Sequence, residues 1–106
     1  RIFVKSDYKL VQVEVDRIAY VEGVKDYIKI VRDDGSSLMT LMSMKSFEER
    51  LPADKFVRVH RSYIVNMDKI SVIDRNRIVF GKVYIPISDS YKERFSALFD
   101  QRTVGM

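Results

Sequence analysis

The sequence predicts a mostly β domain made of small antiparallel sheets, with two short helices. Apolar and polar residues alternate with a period of two along most of the chain, which is typical of strands with one buried face. Turn signals such as the Asp-Asp-Gly-Ser run at 33–36 separate these segments, so neighbouring strands are expected to pair as hairpins. Only two segments show the spacing of three to four residues between apolar positions that indicates an amphipathic helix.

The strands follow from the alternating runs. We predict them at residues 2–5, 10–15, 18–22, 27–32, 38–41, 56–60, 63–65, 70–73, 77–80 and 83–87. Residues 74–76 form the tight turn of the hairpin between the eighth and ninth strands. Because Pro86 cannot donate a ladder hydrogen bond, the last strand is expected at a sheet edge.

Each helix has a serine before its first turn. Ser43 is expected to cap the first helix, whose apolar stripe is Met44, Phe47 and Leu51 and which Pro52 ends. Ser88 is expected to cap the second helix. The apolar stripe of this second helix is formed by Tyr91, Phe95, Leu98 and Phe99.

The 106 residues support a single domain, which we place at residues 1–100. Residues 101–106 lack a periodic pattern and are predicted to form a disordered tail. The chain has no cysteine and no apolar run near the roughly 20 residues of a membrane span, so we expect a cytoplasmic protein with no membrane partner. It begins with Arg1 rather than Met, so we expect it to be a piece of a longer protein.

The basic charge is concentrated in residues 55–77. This stretch holds six basic and two acidic side chains, a surplus of +4 that equals the formal net charge of the whole chain. Such a local surplus favours a polyanion-binding edge, although basic residues also serve simply to keep small domains soluble. Within the stretch, Lys55 and Lys69 are expected to contribute only a long-range field, and Arg58 to pair with Asp54 or Glu22.

Enzymatic chemistry has little support in the sequence. His60 is the single histidine, and no G-x-S-x-G, P-loop, G-x-G-x-x-G or H-E-x-x-H motif is present. Two adjacent pairs of acids, Asp33 with Asp34 and Glu48 with Glu49, are typical of a turn and of a helix face. We therefore expect no enzyme, no catalytic residue, no metal site and no cofactor.

Residues 56–66, with the sequence FVRVHRSYIVN, resemble the signature of LytTR-type DNA-binding domains, the output modules of one class of bacterial response regulators. Residues 18–23 (IAYVEG), 44–51 (MKSFEERL), 66–70 (NMDKI) and 85–91 (IPISDSY) resemble further segments of that family in the same order. The resemblance implies an elongated fold whose loops, not a recognition helix, enter successive grooves of double-stranded DNA. It further implies paired repeat sites, a homodimer on DNA and an upstream receiver domain.

Three loops take the place of base-reading loops in this resemblance, through Tyr27, Arg61 and Asp89. Arg61 can present a bidentate fork to guanine O6 and N7, worth about 1–3 kcal/mol of discrimination. Many family members have arginine at the position of Asp89. Its carboxylate either accepts a hydrogen bond from cytosine N4 or is a helix-terminal acid that the dipole favours. The positions at which the family contacts phosphates are Ser62, Arg77, Ser90 and Lys92. Further candidates for phosphate-contacting or supporting residues are Lys25, His60, Arg75, Asn76 and Ser88.

Several roles stay open at the level of the sequence. His60 either contacts the DNA backbone, holds the Arg61 loop, or is a structural histidine satisfied by nearby backbone. Arg75 and Asn76 either touch phosphate or are solvated turn residues. A protein-interaction module that docks an acidic partner through a basic β edge near Pro86 is the alternative function. Single-stranded or RNA binding is a weaker third hypothesis, since Lys25 with Tyr27 is the only basic and aromatic pair that suggests a stacking platform.

Overall fold

A computed structural model describes residues 1–105, and these form three antiparallel sheets, two α-helices and two short 3₁₀ turns. The molecule is elongated, with principal dimensions of 48 × 25 × 24 Å. The predicted fold class is confirmed. The strands are β1 (Ile2–Ser6), β2 (Lys9–Val13), β3 (Ile18–Val24), β4 (Tyr27–Arg32), β5 (Ser37–Leu41), β6 (Phe56–His60), β7 (Tyr63–Asn66), β8 (Val72–Asp74), β9 (Arg77–Phe80) and β10 (Val83–Pro86).

The helices are α1 (Met44–Glu48) and α2 (Asp89–Asp100), and the 3₁₀ turns cover Val15–Arg17 and Met67–Lys69. Strands β1 and β2 form one hairpin sheet, and β10-β9-β8 form a three-stranded sheet. The central sheet has five strands in the order β5-β4-β3-β7-β6. Strand β10 lies at a sheet edge, as the proline at its end predicted.

The central sheet is buried on both faces. One face carries Val21, Ile28 and Ile64, which pack with the β1–β2 hairpin and α1. The other face carries Val57 and Val65, which pack with the three-stranded sheet and α2. Because alternate residues of each strand point to opposite faces, both halves of the period-two pattern are apolar in the central strands. Little room is left for polar chemistry except at the ends of the strands and along the β5 edge.

Two hairpin turns adopt the left-handed backbone conformation. Asp7 and Tyr8 have φ angles of 50° and 64°, and Arg75 and Asn76 have φ angles of 53° and 64°. Two consecutive residues with positive φ define the type I′ turn, which matches the twist of the flanking strands. The turn predicted at residues 74–76 is therefore confirmed, and a similar turn joins β1 to β2.

Some predicted boundaries were wrong by a few residues. The second strand ends at Val13 and the eighth begins at Val72, because 3₁₀ turns occupy the adjacent segments. Helix α1 ends at Glu48, although Leu51 beyond it is still buried. The side chain of Ser43 accepts a hydrogen bond from Ser46 N at 3.1 Å, which confirms that cap. Ser88 occupies the cap position of α2, but among the described residues its hydroxyl accepts no capping hydrogen bond.

The C-terminal residues contact the domain. Arg102 donates hydrogen bonds to the carbonyl of Asp54 at 3.2 Å and to that of Leu98 at 3.4 Å. The hydroxyl of Thr103 donates to the carbonyl of Phe99 at 2.8 Å. The disordered tail at residues 101–106 stays a prediction, and its last residue, Met106, lies outside the described residues.

Asn66 ties the end of β7 to the start of β3. It is a buried polar residue with 1% of its surface exposed. Its amide nitrogen donates to the carbonyl of Ile18 at 2.8 Å, and its side-chain oxygen accepts from Asp68 N at 3.0 Å. Both partners would lose a hydrogen bond without it, and the Ile18 contact is buried.

We therefore expect Asn66→Ala to lower the free energy of unfolding by about 2–4 kcal/mol, since it strands two backbone groups. Urea denaturation followed by circular dichroism measures the change. Gln12→Ala, on the exposed side of β2, is the control and should change stability by less than about 0.5 kcal/mol. Equal effects of the two substitutions would contradict this role of Asn66.

Candidate nucleic-acid interface

Two predicted base-reading loops lie together at one end of the central sheet. Strand β3 runs through residues 25–26 into β4, and β6 runs through residues 61–62 into β7. The backbone N–H of Gly23 donates to the carbonyl of Ser62 at 2.8 Å, which joins the two loops. Lys25, Tyr27 and Arg61 line a shared open cleft of about 700 Å³. The fold thus brings together two of the three loops that the resemblance implied.

Gly23 is closely packed between the start of α1 and the Arg61 loop. A β-carbon there would lie 3.3 Å from the side chain of Met44 and 3.8 Å from the Cα of Ser62. The first distance is shorter than ordinary van der Waals contact, so the Met44 side chain would have to shift slightly to admit a larger residue. The absence of a side chain at Gly23 thus lets α1 lie close to both loops.

Arg58 holds the backbone of the Arg61 loop. Its Nε donates to the carbonyl of His60 at 3.3 Å, and its Nη2 donates to the carbonyl of Arg61. The guanidinium also lies 3.8 Å from a carboxylate oxygen of Glu48 and 5.7 Å above the ring of Tyr91. The predicted pairing with Asp54 or Glu22 was therefore wrong. Sequence reasoning missed this supporting role, and its one signal was the polar position of Arg58 between Val57 and Val59.

His60 stabilises the same loop from the other side. Its Nδ1 accepts a hydrogen bond from the backbone N–H of Ser62 at 3.0 Å, and its ring packs against the edge of Tyr63 at 5.6 Å between centroids. This bond fits two of the interpretations, in which His60 holds the Arg61 loop or is a structural histidine satisfied by nearby backbone, and both stay predictions. A direct contact between His60 and the DNA backbone stays a prediction.

The third loop is attached to the end of β6. The N–H of Ser88 donates to the carbonyl of Val59 at 2.9 Å, and the N–H of Ile87 donates to the carbonyl of Asn76 at 3.0 Å. These bonds place the start of α2 and the tip of the β8–β9 hairpin beside the Arg61 loop. Tyr91, one turn into α2, lies under the Arg58 guanidinium.

The side chains of this third loop differ in exposure. Asp89 is fully exposed, and its carboxylate lies 3.8 Å from Lys92 Nζ. Ser90 is exposed, whereas Ser88 and Lys92 are half-buried. Both interpretations of Asp89, a base contact or a helix-terminal acid, remain compatible with this geometry and stay predictions.

The β8–β9 hairpin adds exposed basic groups. Arg75 and Asn76 form its turn, and Arg77 begins β9. The Arg77 guanidinium lies 4.7 Å above the ring of Tyr84, a cation–π contact that orients the side chain without neutralising its charge.

The charge surplus of residues 55–77 divides into paired and unpaired groups. Lys55 Nζ lies 3.5 Å from Asp16 and 3.8 Å from Asp68. Lys69 Nζ lies 3.0 Å from Asp33, at the end of the central sheet away from the cleft. These local pairs mean that the expectation of a purely long-range field for both lysines was wrong.

Asp33 is the centre of that paired end. Hydrogen bonds from Lys69 and then from Arg17 hold the pKa of Asp33 below its ordinary value. By contrast, no ion pair found in residues 1–105 includes Arg61, Arg75 or Arg77. These three arginines of the basic stretch are thus left without an acidic partner at the end of the molecule where the loops meet.

Other kinds of site find no support in the described part of the chain. Residues 1–105 contain no group of three His, Cys, Asp or Glu side chains placed to hold a metal ion. None of their helices is long and apolar enough to cross a membrane.

An elongated β domain that collects exposed basic and polar loops at one end of a sheet is typical of domains that bind DNA through loops. The family model described as the LytTr DNA-binding domain matches residues 8–100. The chain therefore belongs to the LytTR family of DNA-binding domains, and the resemblance noted in the sequence is confirmed.

Known proteins similar to this chain include a sensory transduction protein and a solved DNA-binding domain. The sensory transduction protein LytT of Oceanobacillus iheyensis is 33% identical over 73 residues, which cover 69% of this chain and 30% of that protein. The chain thus spans less than a third of the length of this relative. The solved LytTr DNA-binding domain of a proposed methyl-accepting/DNA response regulator from Bacillus cereus matches with a TM-score of 0.77 at 25% identity. That match covers 92% of this chain and 94% of the solved one.

We expect Arg58→Met to loosen the Arg61 loop, because methionine fills similar space but cannot donate to the two carbonyls. Hydrogen exchange should speed up at the amides of Gly23 and Ser62, and stability should fall by about 1–2 kcal/mol. Arg50→Met, at an exposed arginine just beyond α1, is the matched control. Unchanged exchange at both amides would show that Arg58 does not hold this loop.

Proposed function

We propose that this chain binds double-stranded DNA in a sequence-specific manner, as the output domain of a two-component response regulator that controls transcription. One observation carries the proposal. Loops 25–27 and 61–62 line one cleft, and Arg61 of the second loop is exposed there. Membership of a DNA-binding family supports it independently. The expectation that the chain is no enzyme stays a prediction.

Arg61 is proposed as the main base-reading residue. Its backbone is fixed through Arg58 while its own guanidinium is exposed. A guanidinium offers two parallel N–H donors, which match the O6 and N7 acceptors of guanine in the major groove. Fixing the backbone in advance lowers the conformational entropy lost when the side chain binds.

Tyr27 and Lys25 are proposed to act on the neighbouring groove. The side chain of Tyr27 is 46% exposed at the start of β4, next to the exposed Lys25. A tyrosine hydroxyl can hydrogen-bond a base edge or a phosphate, and the lysine adds attraction to the backbone.

The phosphate contacts are proposed to flank these base readers. Hydroxyl and cationic groups bind phosphate oxygens, which fixes register on the duplex without reading sequence. Ser90 and Lys92 lie in the first turn of α2, where a helix N-terminus attracts anions. Asp89 opposes phosphate at the same place, so we propose that it faces a base edge or solvent. The remaining proposed backbone contacts and supports are His60, Ser62, Arg75, Asn76, Arg77 and Ser88.

The length of the molecule is suited to more than one groove. Laid along a duplex, its long axis of 48 Å covers about 14 base-pair rises, which is more than one helical turn. Loops at separate points along this axis can therefore enter successive grooves. We propose that two such domains bind paired repeats as a homodimer on DNA, which doubles the number of grooves that are contacted.

The regulatory context is proposed from the relatives. One is a sensory transduction protein and the other a domain of a proposed response regulator. We propose that an upstream receiver domain controls this chain by phosphorylation and that the protein acts in the cytoplasm.

A protein-interaction module is the second candidate, and the β10 edge favours it. Tyr84 on that edge is 50% exposed and contacts the cation of Arg77. An acidic partner could add to this edge by strand pairing. If duplex DNA fails to compete with a captured acidic partner, this alternative is supported instead.

Fluorescence anisotropy across a salt series tests the DNA proposal. The probe is a duplex selected by this chain from a random-sequence library. Contacts to four to six phosphates give a log–log slope of affinity against salt of about −4 to −5. A flat salt response, or no binding below micromolar protein, would overturn the proposal.

Arg61→Ala and Lys92→Ala separate base reading from backbone contact. We expect Arg61→Ala to relax preference at one base position by about 1–3 kcal/mol. Lys92→Ala should weaken binding to all duplexes alike and reduce the magnitude of the salt slope by about 1. Lys82→Ala, at an exposed lysine in the β9–β10 turn away from the cleft, is the control for general charge loss. If Arg61→Ala and Lys92→Ala behave alike, the proposed division of roles is wrong.

A further inference from the structure

A second groove continues from the candidate interface toward the N-terminal hairpin. The first cleft is lined by Arg61 and Tyr27. The next groove, of about 550 Å³, is lined by Tyr27 together with Lys5, Tyr8 and Leu41. Tyr27 is thus shared by both surfaces. The β1–β2 turn therefore extends the row of loops by one further position, beyond the loop at 25–27.

Tyr8 presents a fully exposed aromatic side chain at the tip of the β1–β2 hairpin. Its side chain is 99% exposed, and its φ angle is 64°. Glycine or asparagine is the usual residue at such positions of a type I′ turn, because a bulky side chain with positive φ is strained. The hairpin explains the backbone conformation, but the ring of Tyr8 packs on nothing within residues 1–105 of the domain and is available for an external contact.

The groove has the chemistry of a surface for a polyanion. Lys5 lines it, and Lys9 follows Tyr8 at the start of β2. No ion pair that the structure gives for residues 1–105 contains either lysine. Leu41 in the same groove is 67% exposed and offers apolar surface to sugar carbons. One acid, Asp7, lies in this groove, so the lysines of the turn outnumber it.

We propose that the β1–β2 turn is a fourth DNA contact, in which Tyr8 and Lys5 grip the sugar-phosphate backbone outside the base pairs that Tyr27 reaches. The proposal rests on the DNA-binding function proposed above. The Tyr8 hydroxyl donates a hydrogen bond to a phosphate oxygen, and the Lys5 ammonium neutralises the same strand. Because both groups meet phosphates, this turn lengthens the footprint and fixes register but reads no bases.

Two variants test the contact with little risk to the fold. Tyr8→Asn removes the ring and hydroxyl and suits positive φ, so its stability should equal or exceed that of the wild type. Lys5→Gln removes one charge from an exposed strand position. The matched control is Lys82→Gln, an exposed lysine in the β9–β10 turn at the other end of the molecule.

The measurement uses the whole chain and a duplex selected from a random-sequence library, of about 30 base pairs or about three helical turns. We expect Tyr8→Asn and Lys5→Gln each to weaken binding by about three- to tenfold. Lys5→Gln should also reduce the magnitude of the salt slope by about 0.9. Base preference should be unchanged in both, and Lys82→Gln should bind as the wild type does.

Trimming the duplex gives the sharper outcome. Removing base pairs from the flank that the β1–β2 turn contacts should weaken DNA binding by the wild type to the level of the two variants, so that all three proteins bind equally. Removing base pairs from the other flank should not have this effect. If the wild type binds DNA but both variants bind the long duplex equally well, this inference is overturned while the proposed function stands. The same holds if the variants alter only self-association. If the wild type itself does not bind, the proposed function and this inference fall together.

Discussion

The burial of both faces of the central sheet is the constraint from which the rest of the molecule follows. Side chains such as Val21 and Val57 are fully buried on opposite faces, so the sheet cannot offer a polar surface there. Recognition is thereby confined to the strand ends and the β5 edge. The covering elements also fix the ends of the strands, because α1 packs beside Gly23 and α2 follows directly from the β6 contact at Ser88. Loops that would otherwise be mobile are therefore anchored to a rigid support.

At the end of the central sheet where loops 25–27 and 61–62 meet, some side chains stabilise the loops and others are exposed for contact with a partner. Arg58 donates hydrogen bonds to the carbonyls of His60 and Arg61, and His60 accepts one from the backbone N–H of Ser62. Arg61 is exposed, and no ion pair given for residues 1–105 includes its guanidinium, which is therefore available to an external partner. This separation explains why a stretch of chain rich in basic residues contains both half-buried and exposed arginines. The half-buried Arg58 shapes the loop, and the exposed Arg61 can be replaced without loss of the fold.

Much of the fold could be predicted from the sequence because it depends on local signals. Strand alternation, the Ser43 cap and the edge position of Pro86 each follow from a few neighbouring residues. The partners of charged side chains could not be predicted, because docking of distant elements decides them. Glu48 reaches Arg58 only once α1 packs on the sheet, and Asp33 reaches Lys69 only through the turn after β4. The left-handed backbone conformation of Tyr8 could not be predicted either, since its turn contains no glycine.

The ion pairs around Asp33 bear on the kinetics of the proposed DNA binding. They pair Lys69 and Arg17 with acids at one end of the central sheet, whereas Arg61, Arg75 and Arg77 at the loop end are in no ion pair that the structure gives for residues 1–105. An asymmetric charge distribution orients a protein in the field of a polyanion before the two make contact. If the chain binds DNA as proposed, more encounters begin with the loops facing the duplex, and this cluster raises the rate of productive association without contacting the ligand.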